Sequence, residues 1–116
     1  MPEPIIDDAT FEGLVDAMGA DFIGELIDTY LEETPQLIAA AQRALGDGNA
    51  DDLRRAAHSI KSSSASFGVL SFSALARELE MLGKEANLVE AGPKMARLQA
   101  DYALVARALQ ERQRER

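Results

Sequence analysis

The chain contains a single histidine, His58, and no cysteine. His58 lies in the stretch Arg54-Arg55-Ala56-Ala57-His58-Ser59-Ile60-Lys61-Ser62-Ser63-Ser64-Ala65. Free histidine titrates at about pH 6.5, so nucleophilic neutral imidazole exists near neutrality. On a helix of 100° per residue, Arg54, Arg55 and Lys61 fall within about 60° of His58, and Ser62 and Ala65 within about 40°. Ala56, Ile60 and Phe67 fall about 160° or more away, so the apolar face is opposite the ring. A core role is thereby excluded. Two readings stay open: an incidental surface histidine, or an imidazole meeting an anion held by a large partner. Cations at i−4, i−3 and i+3, with small residues at i+4 and i+7, suit the second.

Other chemistry is poorly supported. Without Cys there is no disulfide framework, thiolate nucleophile or cysteine-ligated metal, and one histidine does not make a zinc site. No metal site is expected. Gly46 and Gly48 lack the spacing and lysine of a phosphate loop. The serine run Ser62-Ser63-Ser64-Ala65-Ser66 reads as close helix packing rather than a nucleophile, with Ser63 and Ser64 toward the packed side. Glu32 and Glu33 read as solvated helix surface.

The charge divides unevenly. The formal net charge of −8 is the sum of ten acids and no Lys or Arg in residues 1–42, and a remainder of +2. Between Leu53 and Arg77 there is no acid at all, and a negative group is expected to be handled there. The bulk charge, the absence of Trp and an aromatic content of 5% argue against nucleic-acid binding. Met1 to Asp8 lacks the basic and apolar regions of a secretory signal. The longest apolar run, Leu37 to Ala41, is too short for a membrane span. The expectation is a soluble, cytoplasmic protein.

Helical periodicity dominates the elements that must position His58, and strand signals are nearly absent. A short segment with Phe11, Leu14, Val15 and Met18 ends at Gly19. A long one from about Ala20 to Leu45 carries Phe22, Ile23, Leu26, Ile27, Tyr30, Leu31, Leu37 and Ile38, with a kink expected at Pro35. Asn49 is placed as the cap of a third helix ending at Phe67, with Gly68 beyond it. Ser71 is placed as the cap of a fourth helix, Phe72 to about Ala86. Asn87 to Pro93 reads as a loop or ragged start, Pro93 suiting a first turn. A last helix carries Met95, Leu98, Tyr102, Val105 and Leu109, then frays from Gln110 to Arg116. The fold expected is all-α, an antiparallel four-helix bundle with a short extra N-terminal helix, in one domain over residues 1–116.

Ala57-His58-Ser59-Ile60-Lys61-Ser62-Ser63-Ser64-Ala65-Ser66-Phe67-Gly68 resembles the signature of histidine-containing phosphotransfer (HPt) domains. That pattern is roughly A-H-x-L-K-G-S-S, closed by an apolar residue and a glycine at the tenth position after the histidine. The likeness extends to Phe22-Ile23-Gly24-Glu25-Leu26-Ile27, the Pro35 region and Leu75-Ala76-Arg77-Glu78-Leu79-Glu80. Arg55-Ala56-Ala57-His58-Ser59-Ile60-Lys61 is also similar to the phosphotransfer domains of chemotaxis kinases. Ser62 departs from the family glycine, a small polar residue that keeps the approach to the ring open.

The resemblance implies a phosphorelay carrier. A receiver phosphoaspartate donates its phosphoryl group to His58, which passes it to another receiver aspartate. Lys61 is expected to neutralise phosphoryl oxygens, with Arg54 and Arg55 as weaker rim contributors. Glu80 and Lys84 align with family positions facing the histidine, Glu80 to orient the ring or Lys84 to meet phosphate. No cofactor is expected on this chain, because the Mg2+ of such a transfer belongs to the receiver. Partners are expected to be response-regulator receivers and a hybrid or other sensor histidine kinase. The resemblance also implies a hydrophobic docking patch near the histidine, for which Phe11, Leu14 and Met18 are candidates, the alternative being that they cover the bundle end. A monomer with no kinase activity of its own is expected. Alternative readings are a non-phosphorylated docking or regulatory bundle, and a chemotaxis-kinase-type input domain.

Overall fold

Caps and breakers divide the described residues into five helices. The computed structural model describes residues 4–115. Helix α1 spans Asp8–Met18, α2 Ala20–Gly46, α3 Ala50–Ser66, α4 Leu70–Lys84 and α5 Leu88–Arg114. The helical class read from the periodicity is therefore observed. Residues Met1 to Glu3 and Arg116, to which the single-domain reading extends, lie outside the described residues. No helix among the described residues is long and apolar enough to cross a membrane.

Side chains satisfy the free amides that begin three of the helices. The backbone N–H of Thr10 donates to Asp7, that of Asp52 to Asn49 and that of Glu90 to Asn87. Asn49 thus takes its expected place. Ser71 does not cap α4. The helix starts earlier, after Val69, with no side-chain cap, because Val69 is fully buried and the chain re-enters a helix directly after Gly68. Residues 88–93 are helical, not a loop, because Asn87 supplies the cap. Pro93 therefore sits inside α5 rather than in its first turn. The last helix continues to Arg114 instead of fraying at Gln110. Gln113 holds that end, its Nε2 donating to the Gly24 carbonyl at 2.9 Å and to Asp28 at 2.7 Å.

Pro35 lies within an unbroken α2. Proline cannot donate to the carbonyl four residues back, which is that of Leu31. The Tyr102 hydroxyl of α5 reaches that carbonyl at 3.5 Å.

Helix α3 packs against both α2 and α4, α4 against α5, and α5 against α2. Inter-helix contacts run in opposed registers. Ser73 pairs with Lys61 and Gly83 with Arg54 across α3 and α4, while Gln42 pairs with Gln99 and Gly24 with Gln113 across α2 and α5. The enclosed core takes Ile23 and Ile27 from α2, Leu53 and Ile60 from α3, Leu79 from α4, and Leu98 and Leu109 from α5. Burying each such side chain stabilises the fold by roughly 1.5–3 kcal/mol.

Helix α1 is fastened to the α3–α4 turn and to the end of α5. Phe11 is fully buried, Arg112 lies over its ring, and Arg112 also pairs with Asp8. The Asp7 amide donates to the Gly68 carbonyl at 2.8 Å. Of the three apolar residues assigned either to the bundle end or to docking, Phe11 belongs to the core, Leu14 is half-buried and Met18 is exposed.

Candidate functional site

The pattern that places Leu53, Ala56, Ala57 and Ile60 in the core turns His58 outward. Its side chain is 55% exposed, enough for a partner to reach the ring. Behind it, the buried Ser64 shares a 2.7 Å hydrogen bond with the Tyr30 hydroxyl of α2. The Tyr30 ring stands 5.1 Å from that of Phe67. Burial pushes the Tyr30 hydroxyl up to about 12, so it stays protonated at neutral pH. The serine run thus splits by face: Ser64 is buried, Ser63 half-buried, and Ser62 and Ala65 exposed beside His58.

Helix α4 brings the acid to the histidine. Glu80 Oε2 lies 2.6 Å from His58 Nδ1, and Glu80 Oε1 accepts from Lys61 Nζ at 2.7 Å. The carboxyl is held below the usual carboxylate range, first by the Lys61 hydrogen bond and further by that of His58. An ionised carboxylate only accepts hydrogen bonds, so Nδ1 carries the proton and donates. In the neutral ring the lone pair is then on Nε2.

The acid-free stretch of sequence is not acid-free in space. Asp51 pairs with both Arg54 and Arg55 at 2.9 Å, and Glu80 pairs with Lys61. Three cations therefore face two carboxylates, leaving one net positive charge among the side chains around the ring. Of the residues singled out from sequence, His58, Lys61 and Glu80 converge on one another. Arg54 and Arg55 turn toward Asp51 on their own helix instead. Lys84, one turn beyond Glu80, is exposed, and among the described residues none pairs with it.

Sequence reasoning missed Asp51, Tyr30, Ser73 and Gly83. Asp51 was legible as an i,i+3 and i,i+4 partner of two arginines. The Ser73 hydroxyl donates to the Lys61 carbonyl at 2.9 Å, and Gly83 closes the gap between α3 and α4. Among the described residues no group of three or more His, Cys, Asp or Glu forms a metal cluster.

A family model described as the Hpt domain matches residues 25–108, which include His58, Lys61 and Glu80. The chain belongs to the Hpt domain family. Hpt domains carry phosphoryl groups on a histidine in phosphorelays. No curated protein matches the chain. The fold is similar to the crystal structure of histidine-containing phosphotransfer protein B from Pseudomonas aeruginosa PAO1, with a TM-score of 0.92 over 99% of each chain at 24% identity. At that identity the likeness speaks for the Hpt fold alone.

Proposed function

We propose that the protein is a phosphorelay intermediate that accepts a phosphoryl group on His58 Nε2 from a receiver phosphoaspartate and returns it to the aspartate of another receiver. One observation carries this reading: an ionised Glu80 on Nδ1 leaves the Nε2 of an exposed ring as its nucleophile. The Nε2 lone pair attacks phosphorus, the P–O bond to the donor aspartate breaks, and that aspartate leaves as a carboxylate. No proton has to move. The ring becomes a phosphorylated imidazolium whose Nδ1–H still faces Glu80, and that carboxylate stabilises the positive charge formed. Reversal on a second receiver completes the relay.

Lys61 has two roles in this reading. It holds Glu80 ionised in the resting protein and offers its ammonium to phosphoryl oxygens once phosphate arrives. Arg54, Arg55, Ser62, Ala65 and Lys84 form the rim. Receivers dock beside the ring, over the α2–α3 groove of about 240 Å³ lined by Leu26, Leu37, Ser59 and Ser63. Exposed Phe22, one turn before Leu26, extends its apolar edge. Mg2+ is supplied by the receiver. The protein works as a cytoplasmic monomer without kinase activity of its own.

The test is transfer of radiolabelled phosphate from a phosphorylated receiver. Wild-type protein is expected to take up label and His58→Gln none. Equal labelling of both would refute the assignment. Receiver binding that survives His58→Gln, with no phosphohistidine in the wild type, would establish a docking bundle instead. Labelling by a kinase's ATP-binding domain, without any receiver, would point to an input domain.

A further inference from the structure

We propose that Gly83 is a positioning residue for the reaction at His58, acting through Glu80; the proposal rests on the phosphotransfer reading above. Most helical glycines here face open space. A Cβ added at Gly13, Gly24, Gly46 or Gly92 would meet no atom within 4 Å. Gly83 is different. A Cβ there would lie 2.9 Å from the Arg54 nitrogen, 3.0 Å from the Ala50 oxygen and 3.0 Å from the Arg54 Cα. All three are backbone atoms of α3, so no side-chain rotation relieves the contact. A glycine near the end of a helix is inferior to alanine as a helix former. What it provides is the close approach of α4 to α3.

That approach lies one helical turn from the reacting ring on both helices. On α3, Arg54 precedes His58 by four residues, and on α4, Gly83 follows Glu80 by three. Glu80 has little freedom to absorb a wider gap. Its two oxygens already bind two donors on α3, His58 Nδ1 at 2.6 Å and Lys61 Nζ at 2.7 Å. Swinging the carboxylate to follow one donor gives up the other. A further tie across these helices, the Ser73 hydroxyl to the Lys61 carbonyl, lies two turns from Glu80, toward the end of α4 opposite Gly83. Withdrawal of α4 by a methyl group therefore releases Nδ1. The neutral ring then loses the constraint that keeps its lone pair on Nε2, the atom that must attack phosphorus while the donor aspartate leaves.

The experiment compares Gly83→Ala with the open-space control Gly92→Ala. Imidazole nitrogen chemical shifts read the His58 tautomer without any receiver, and radiolabel transfer reads the rate. Gly83→Ala is expected to shift the neutral ring away from the Nδ1–H form and to slow transfer roughly tenfold to a hundredfold. Gly92→Ala is expected to change neither. In a Glu80→Ala background, Gly83→Ala is expected to cause no further loss, because its effect passes through Glu80. The same fold-loss in both backgrounds, or a slowed rate with an unchanged tautomer, would overturn the proposal. Should Gly83→Ala not fold, Glu80→Asp carries the test by shortening the reach one methylene with Gly83 intact. An unchanged ring in that chain would show that the gap is not critical and defeat the proposal. Failure of wild-type protein to accept label would instead sink the phosphotransfer reading, and the tautomer measurement separates the two.

Discussion

The Nδ1 of His58 and the Oε2 of Glu80 lie 2.6 Å apart, although twenty-two residues separate them in the chain. The bond joins the exposed face of α3 to the partly buried face of α4. Because Glu80 also holds Lys61, one carboxylate organises both residues that the His-Lys spacing singles out. Removing it should be felt in chemistry more than in folding. Glu80→Gln keeps the shape but not the charge. We expect phosphotransfer to His58 to slow roughly tenfold or more, with stability lowered by only about 1 kcal/mol. Single-turnover transfer from a labelled receiver and a urea melt check the two halves. Lys61→Ala is expected to slow transfer with the fold intact, and an unchanged rate would remove Lys61 from the mechanism.

Tyr30 and Ser64 should behave as one unit. Tyr30→Phe leaves a buried serine hydroxyl without its partner, at a cost of roughly 1–3 kcal/mol. Ser64→Ala should cost a similar amount, and the double variant less than the sum. Equilibrium unfolding of the three chains measures this. Burial raises Tyr30 from its ordinary 10.0 to about 12. Its contribution to stability is therefore full below pH 10 and is lost as pH rises toward 12.

Acid should weaken the fold through three carboxyls. Thr10 holds Asp7 down through side-chain and backbone hydrogen bonds, the Arg54 hydrogen bond lowers Asp51, and the Lys61 hydrogen bond lowers Glu80. The unfolded chain binds protons at these sites first as pH falls. Their contribution is present above about pH 4.5 and disappears as pH drops through the lowered values. Urea midpoints measured from pH 6 to pH 2 should fall across that acid range. Over the same range the ties from Glu80 to Lys61 and His58 across α3 and α4 should weaken as the Glu80 carboxylate takes up a proton.

Gly68→Ala should destabilise the domain without touching the site chemistry. Gly68 has φ +80°, and a Cβ there would sit 2.9 Å from the Asp7 oxygen and 3.1 Å from the Thr10 Cβ. Left-handed strain and the displaced start of α1 together should cost roughly 2–4 kcal/mol. Thermal melts check the loss. Label uptake at a temperature where the variant is folded should match wild type.

The acidic first third should tune which receiver docks. Glu12, Asp16 and Asp21 are exposed, and residues 1–42 carry no cation. Neutralising these three should alter receiver preference or the salt dependence of transfer more than the rate of the chemical step. Identical rates across receivers and salt concentrations would dismiss it.

Much of this molecule was legible before any tertiary contact was known. The spacing of Leu53, Ala56 and Ile60 set the inward face of α3 and so turned His58 outward. Asn49 and Gly68 marked the ends of that helix, because a cap and a left-handed turn are local matters. Ser71 and Pro93 misled for a related reason. A good capping residue and a good first-turn residue are only preferences, and the buried Val69 and the Asn87 cap moved both helix starts.

The amino-acid sequence by itself determined that one imidazole stands on a polar helix face among cations, since helical periodicity is a short-range property. Only the tertiary structure decided what those cations do. Asp51 takes up both arginines, and Glu80 arrives from another helix to hold Lys61 and the ring together. Distances between helices depend on side-chain volume at their crossing, here the absence of a side chain at Gly83, and no local pattern specifies that. The −8 of the whole chain likewise divides into an acidic first third and a nearly balanced site, where a single net positive charge surrounds an oriented ring.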